Sequence, residues 1–138
     1  MGYESKIYIV NVRDHNRPAL DKTTNKPILD ENNRPIIYKG YGQIVAMMDM
    51  CKMGYDNGWR ELFTEDIDYT IYAENGDEDT DTDCYGDHIK SGDINSIIGW
   101  LENQIKKDNY RRLKPLLGLL KSFNLEEWKD LQVVHYGY

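Results

Sequence analysis

The sequence predicts a single α+β domain in which an antiparallel sheet of about four strands carries two to three helices packed on one face. The 138 residues match the usual size of one domain. Segments rich in β-branched and aromatic residues occur in the first half and at the C-terminus, whereas helical apolar spacing is confined to the stretch between them. Strands that precede a run of helices are typical of the α+β class.

Residues 6–13 are mostly β-branched or aromatic and predict the first strand. An extended N-terminal β-ribbon insertion follows at residues 14–41, where the pattern Asn-x-Pro begins at Asn16, Asn25 and Asn33. Asparagine tolerates left-handed turn geometry and proline keeps neighbouring residues extended. The pattern therefore predicts two or three short hairpins that close on tight turns, and we expect this ribbon to be exposed with little core of its own.

The segment 42–54 is bounded by glycines and fits two structures. The apolar set for a helix is Ile44, Met47, Met48 and Cys51. The apolar set for a strand is Ile44, Ala46, Met48 and Met50. A strand paired with the first one is favoured, because the ribbon between them forms a natural extended hairpin. Residues 67–72 alternate in polarity and predict a further half-buried strand, after which an acidic loop spans 74–92.

Residues 93–130 predict a helical layer. Asp93 is a good N-cap for a first helix, and Asp108 or Asn109 for a second one. Pro115 either kinks the second helix or marks its first turn. Asn124 has capping-box spacing and predicts a short third helix. Residues 131–136 predict the final strand, which can pair across a homodimer if it lies at the edge of the sheet.

The net charge of −7 is concentrated in one part of the chain. Residues 65–93 hold eleven acidic side chains opposed only by Lys90, so the remaining residues sum to +3. Such a stretch repels bare nucleic acid and attracts a protein with a basic surface. The alternative interpretation is a solvated loop that keeps the protein soluble. The residues we expect to contact a basic partner are Asp77, Glu78, Asp79, Asp81, Asp83 and Asp87.

Two further chemistries are alternatives to protein binding. Arg111, Arg112 and Lys114 suit a phosphate group, which favours a nucleotide or small-ligand binder, although the polar side of an amphipathic helix has the same composition. The row of carboxylates in the acidic loop favours a metal-assisted hydrolase, but no register of this row has the glycine and glutamate of a calcium loop. Because no catalytic or cofactor-binding motif is present, we predict no enzyme activity, no metal site and no cofactor.

The two cysteines are too few for a disulfide framework, and no apolar run is long enough to span a membrane. The first six residues also lack the apolar segment of a secretion signal. These features predict a cytoplasmic protein that does not engage membranes.

Three short patches resemble small, mostly uncharacterised proteins of bacteriophages and prophages. They are the opening residues 1–8, the stretch 85–88 and the ending 135–138. The resemblance implies an accessory role in the host cytoplasm, such as blocking a host enzyme. Anti-CRISPR proteins and other anti-defence proteins are one such group. The expected function is thus a non-catalytic inhibitor that engages a host protein.

Overall fold

The computed structural model describes residues 5–49, 58–72, 80–83, 85–108 and 113–137. A five-stranded antiparallel sheet forms the centre of the molecule, in the order β4-β1-β7-β6-β5. Its strands are β1 (Ser5–Asp14), β4 (Tyr41–Asp49), β5 (Phe63–Asp66), β6 (Lys90–Gly92) and β7 (Leu131–Gly137). A separate two-stranded sheet joins β2 (Arg17–Pro18) to β3 (Ile37–Tyr38) within the ribbon. The α+β class is therefore confirmed, with one more strand in the main sheet than predicted.

The segment that fitted both a strand and a helix is a strand. β4 pairs with β1 in antiparallel fashion, from Lys6 opposite Asp49 to Asp14 opposite Tyr41. The register shifts between Ile9 and Val10, so Val45 is an extra residue in β4. Val45 and Ala46 consequently pack on the same side of the sheet. The rest of the segment, residues 50–54, lies outside the described part of the chain.

Two helices cover one side of the sheet: α1 (Ile94–Asp108) and α2 (Leu113–Ser122). The carboxylate of Asp93 accepts the backbone N–H of Ser96 at 2.9 Å, which satisfies a donor in the first turn of α1. Pro115 lies in the first turn of α2, where its missing N–H costs nothing. The side chains that join the helices to the sheet are fully buried, among them Ile9, Val133, Ile97, Leu101, Leu113, Leu116 and Leu120.

The predicted third helix at Asn124 is wrong. The carbonyl of Asn124 accepts the N–H groups of Glu127 and Trp128, and its side-chain oxygen accepts the N–H of Glu126. These bonds make a turn, because Asp130 and the start of β7 follow too closely for a further helical turn. The packing of Phe123 against Trp128 fixes this turn with ring centroids 5.5 Å apart.

The helices lie on one face of the sheet, as predicted, but the opposite face is covered as well. Tyr8, Val10, Val12, Val134 and Tyr136 point away from the helices, yet all of them are buried. They are covered by a second set of buried side chains, namely Ile67, Tyr69, Ile71 and Ile89. The sheet therefore separates two apolar layers, one of helices and one of irregular chain.

The segment 67–72 supplies much of this second layer, and it is not a strand of the sheet. Only Thr70 and Ile71 form isolated bridges, to Tyr41 and Thr80 respectively. The alternation of apolar residues indicates burial correctly, but the segment packs across the face of the sheet. The strand of the main sheet lies just before it, at β5.

The interpretation of residues 74–92 as one acidic loop needs correction as well. Thr82 bridges His88, and the N–H of Asp83 donates to the carbonyl of Asp87 at 2.8 Å. We call the described residues 80–83 and 85–89 the acidic hairpin. The loop ends early because Lys90–Gly92 is strand β6, which pairs with β5 on one side and β7 on the other. β6 lacks β-branched residues, so its pairing is set by backbone hydrogen bonds.

The C-terminal strand lies inside the sheet. β7 pairs with β1 over its full length and with β6 at Val133 to His135. The condition for a homodimer through residues 131–136, an edge position, is therefore not met. Among the described residues, no helix combines the length and the apolar character that crossing a bilayer demands.

Candidate functional site

The ribbon folds into a closed ring in which three copies of one short repeat bond to each other. The repeats are Asn16–Asp21, Asn25–Asp30 and Asn33–Tyr38, each reading Asn, a basic residue, Pro and two aliphatic residues. In each repeat the fourth residue donates its N–H to the fourth residue of another: Ala19 to Ile36, Ile28 to Ala19 and Ile36 to Ile28, at 2.8–2.9 Å. We call residues 16–38 the ring.

The proline of each repeat pairs with the fifth residue of the preceding repeat, and the first repeat pairs in this way with the third. The pairs are Pro27 with Leu20, Pro35 with Leu29 and Pro18 with Ile37. Ala19, the fourth residue of the first repeat, is only 2% exposed, whereas its counterparts Ile28 and Ile36 are exposed. The ring thus has an internal threefold pattern of pairing that the prediction of separate hairpins missed, although the repeat was visible in the sequence.

Local turn chemistry explains why the ring closes. Asn25 and Asn33 have φ of 58° and 65°, the left-handed conformation that asparagine tolerates well. The carboxylate of Asp21 accepts the N–H groups of Thr23 and Thr24, and that of Asp30 accepts those of Asn32 and Arg34. The two N–H donors hold the pKa of Asp21 below its usual value.

The ring presents an apolar surface to solvent. The fifth residues of the three repeats, Leu20, Leu29 and Ile37, are 44%, 48% and 46% exposed. Ile28, Ile36 and Tyr38 are exposed as well. Isolated exposed aliphatic residues are ordinary, but a group of this kind on one small element is typical of a protein interaction site.

The acidic hairpin is connected to the ring at its base. The ammonium group of Lys39, directly after β3, lies 3.4 Å from the carboxylate of Asp81. Asp87 is exposed. Asp83 has a structural role, because its carboxylate accepts the N–H groups of Tyr85 and Asp87 across the turn. Of the six acidic residues predicted to bind a partner, Asp77, Glu78 and Asp79 lie outside the described residues.

A second group of side chains, absent from the sequence predictions, lies where the ring meets the sheet. Nδ1 of His15 is 2.7 Å from a carboxylate oxygen of Asp68, and its Nε2 is 2.5 Å from one of Asp130. Asp68 and Asp130 follow His15 by 53 and 115 positions in the chain, so no local sequence motif indicates this group. The hydrogen bonds to Asp68 and then Asp130 raise the pKa of His15 above its usual value, and partial burial of the imidazole opposes them.

This arrangement is unsuited to two common histidine roles. Both imidazole nitrogens of His15 face carboxylates, so neither nitrogen is available as a general base or a metal ligand unless its hydrogen bond breaks. In the described part of the chain, no group of three His, Cys, Asp or Glu side chains has the geometry to hold a metal ion. The arrangement instead favours a charged imidazolium between two acids.

The predicted phosphate site is not assembled by the described residues. Lys114 is exposed on the first turn of α2. Arg111 and Arg112 lie outside the described residues. The basic group therefore stays a prediction from the sequence.

Comparison with known proteins adds no relative. No protein-family model, curated protein or solved structure matches this chain.

Proposed function

We propose that this protein is a non-catalytic binding protein that docks on another protein through the ring and the adjacent acidic hairpin. The observation that carries the proposal is the exposure of Leu20, Leu29 and Ile37 at equivalent positions of three repeats. These side chains are about half exposed, so burial of the exposed part of one of them at an interface stabilises a complex by roughly 1 kcal/mol. The turns and cyclic hydrogen bonds hold these side chains in place before binding, which reduces the entropy lost on association.

Charge supports a particular kind of partner. The stretch 65–93 holds eleven acidic residues opposed only by Lys90, and the Lys39–Asp81 pair places part of this charge beside the ring. An apolar pocket bordered by lysine and arginine fits both features, since opposite charges speed association and apolar contacts slow dissociation. The resemblance to small bacteriophage proteins supports a host protein, such as a nucleic-acid-binding defence protein, as this partner.

Affinity capture from bacterial lysate with two matched variants tests the role of the ring. The double variant Leu29→Asp/Ile37→Asp changes two exposed aliphatic residues of the ring. Leu125→Asp, at 42% exposure outside the ring, makes the same kind of change elsewhere. We expect the first variant to lose a specific partner by at least ~30-fold in affinity, as is usual for residues central to an interface. Capture of the same proteins by all three forms would contradict the proposal.

Charge reversal tests the acidic contribution separately. In the variant Asp77→Lys/Glu78→Lys/Asp79→Lys/Asp87→Lys, Asp83 is kept because it stabilises the turn. We expect slower association than wild type at low salt and a smaller dependence of binding on salt, because screening weakens steering by charge. If affinity at low salt is unchanged, these four acidic residues have no part in binding.

The nucleotide-binding and metal-assisted hydrolase alternatives stay predictions from the sequence, because no contact among the described residues favours either one. Melting temperature measured with a panel of nucleotides tests the first of them, since a ligand of the native state raises the midpoint. Loss of hydrolytic activity on chelation tests the second.

A further inference from the structure

His15 joins three parts of the chain that are otherwise distant in sequence. It follows β1 directly, at the first leg of the ring, whereas Asp68 belongs to the layer that covers the sheet and Asp130 immediately precedes β7. Its contacts to the two carboxylates, at 2.7 Å and 2.5 Å, are in the range of charge-assisted hydrogen bonds. The side chain of His15 is 43% exposed, so protons reach it from solvent without an opening of the fold.

Among the described residues, the other bonds that attach the base of the ring to the segment containing Asp68 are between neutral groups. The N–H of Asn16 donates to the carbonyl of Asp68 at 2.5 Å, and the N–H of Gly40 donates to the side-chain oxygen of Asn16 at 2.6 Å. The carbonyl of Gly40 accepts the N–H and the hydroxyl of Thr70. Both legs of the ring are thus attached to the segment that contains Asp68, and His15 is the only titratable donor in this attachment among the described residues.

The other groups near His15 do not replace its charge. The phenol ring of Tyr69 lies edge-on to the imidazole of His15, with 6.2 Å between the two centroids. The Tyr69 hydroxyl donates to the side-chain oxygen of Gln132 at 2.8 Å. Burial raises the pKa of the Tyr69 phenol, and the charges of Asp68 and Asp130 add to this effect, so the phenol stays neutral. On the segment of His15 itself, Arg17 is 3.7 Å from Asp14 and balances that carboxylate.

We propose that His15 is a proton-operated clamp that holds the base of the ring against the sheet when it is charged and releases it when it is neutral. A charged imidazole donates to both acids. A neutral imidazole has one N–H, so one of the two carboxylates then faces a nitrogen lone pair. When the imidazole is neutral, the two negative carboxylates on either side of it are no longer balanced by a positive charge. Their repulsion favours separation of Asp68 from Asp130.

The direction of the pH effect follows from the raised pKa. Because the folded state binds the proton more tightly than the unfolded state, the clamp contributes its full stability below the ordinary pKa of histidine while both acids are ionised. This contribution is lost as the pH rises through the folded-state pKa. The ring is therefore held at mildly acidic pH and gains freedom of movement on the alkaline side.

Titration of His15 by NMR, together with amide hydrogen exchange at matched pH values, tests the clamp. After correction for intrinsic exchange, we expect protection of the Asn16 and Gly40 amides to fall as His15 loses its proton. The fall should be about tenfold for each unit by which the folded pKa exceeds the ordinary value. The amides of Ile28 and Ile36, which bond within the ring, should keep their protection. An equal loss at all four amides, or none, overturns the proposal.

Three variants separate the clamp from a general effect on the fold. His15→Gln should abolish the pH dependence at Asn16 and Gly40. Asp130→Asn should lower the pKa of His15 and move the transition to lower pH. His88→Gln removes an exposed histidine of the acidic hairpin and should leave the wild-type profile intact. If His15→Gln retains that profile, or if His15 titrates at or below its ordinary pKa in the wild type, the clamp does not exist.

Discussion

Gly40 shows how a single side chain would disturb the junction between the ring and the sheet. A Cβ added at Gly40 would lie 2.0 Å from the carbonyl oxygen of Asp14 and 2.5 Å from the carbonyl carbon of His15. Both of these are backbone atoms, so no rotation of a flexible side chain relieves the overlap. The absence of a Cβ therefore allows the two legs of the ring to approach each other beside His15.

A pair of glycine substitutions tests this constraint. Gly40→Ala forces backbone apart, and we expect it to lower the free energy of unfolding by about 3 kcal/mol. Gly99→Ala is the matched change in the middle of α1, where nothing lies within 4 Å of the added Cβ. It should raise the free energy of unfolding by about 0.5–1 kcal/mol, since alanine favours a helix. Urea unfolding of the two variants measures both values, and equal effects would contradict the close approach at Gly40.

The residues of the candidate site differ in how far the sequence could reveal them. Asp77 to Asp87 were found by counting charge, because a surplus of carboxylates needs no knowledge of the fold. His15 could not be found in this way. Its partners are set by the crossing of the 67–71 segment over the sheet, and in the sequence Asp68 was only one of eleven acids.

At the level of elements, the ring depends on its two tight turns. Asn33, the first residue of the third repeat, adopts the left-handed conformation. Its N–H donates to the carbonyl of Asp30 at 3.0 Å. Asparagine is favoured there because other residues with a Cβ pay a larger steric cost. The turn therefore sets the position at which Ile36 meets Ile28.

Substitutions at this turn should loosen the ring without unfolding the sheet. Asn33→Ala places an ordinary side chain at positive φ, at a cost of roughly 1–2 kcal/mol, so exchange of the Ile36 amide should accelerate about tenfold. Asn33→Gly should preserve protection of this amide, because glycine adopts the conformation freely. Asn32→Ala, at a neighbouring residue with ordinary φ, is the control. Hydrogen exchange that is the same in all three variants would exclude the turn as the determinant.

The sequence predicts a strand where its side chains favour β-structure, but not where backbone hydrogen bonds alone define the strand. β1 and β7 have β-branched and aromatic residues on both faces, and their predicted limits lie within one residue of those observed. β6, with the sequence Lys-Ser-Gly, has no such residues and exists because β7 and β5 offer hydrogen bonds on both sides. The segment 67–72 has the strand pattern, but Ile67, Tyr69 and Ile71 are buried against the face of the sheet instead of pairing in it.

For the whole molecule, the decisive feature is one sheet that is buried on both sides. Adjacent residues of the same strands, Ile9 and Val10 in β1 and Val133 and Val134 in β7, point into opposite apolar layers. Because both layers contain side chains of the same two strands, loss of either layer exposes one face of β1 and β7 and weakens the packing of the other layer. We therefore expect the helical layer and the irregular layer to unfold together, as is usual for a domain of this size.

A matched pair of core variants tests this cooperativity. Val133→Ala removes two methyl groups on the helix side, and Val10→Ala removes the same two on the opposite side; both valines are fully buried. Each change should lower the free energy of unfolding by about 2 kcal/mol. Trp59 and Trp100 lie in the helix-side layer, and the third tryptophan, Trp128, packs on Phe123 of the same layer, so tryptophan fluorescence reports on that layer. If the layers are coupled, Val10→Ala shifts the urea midpoint of this fluorescence as far as Val133→Ala does, and exchange of the Ile67 amide accelerates equally in both variants. If Val10→Ala accelerates only the exchange of the Ile67 amide and leaves the tryptophan transition in place, the irregular layer unfolds by itself. The attachment of the ring at Asp68 then depends on that layer rather than on the whole domain.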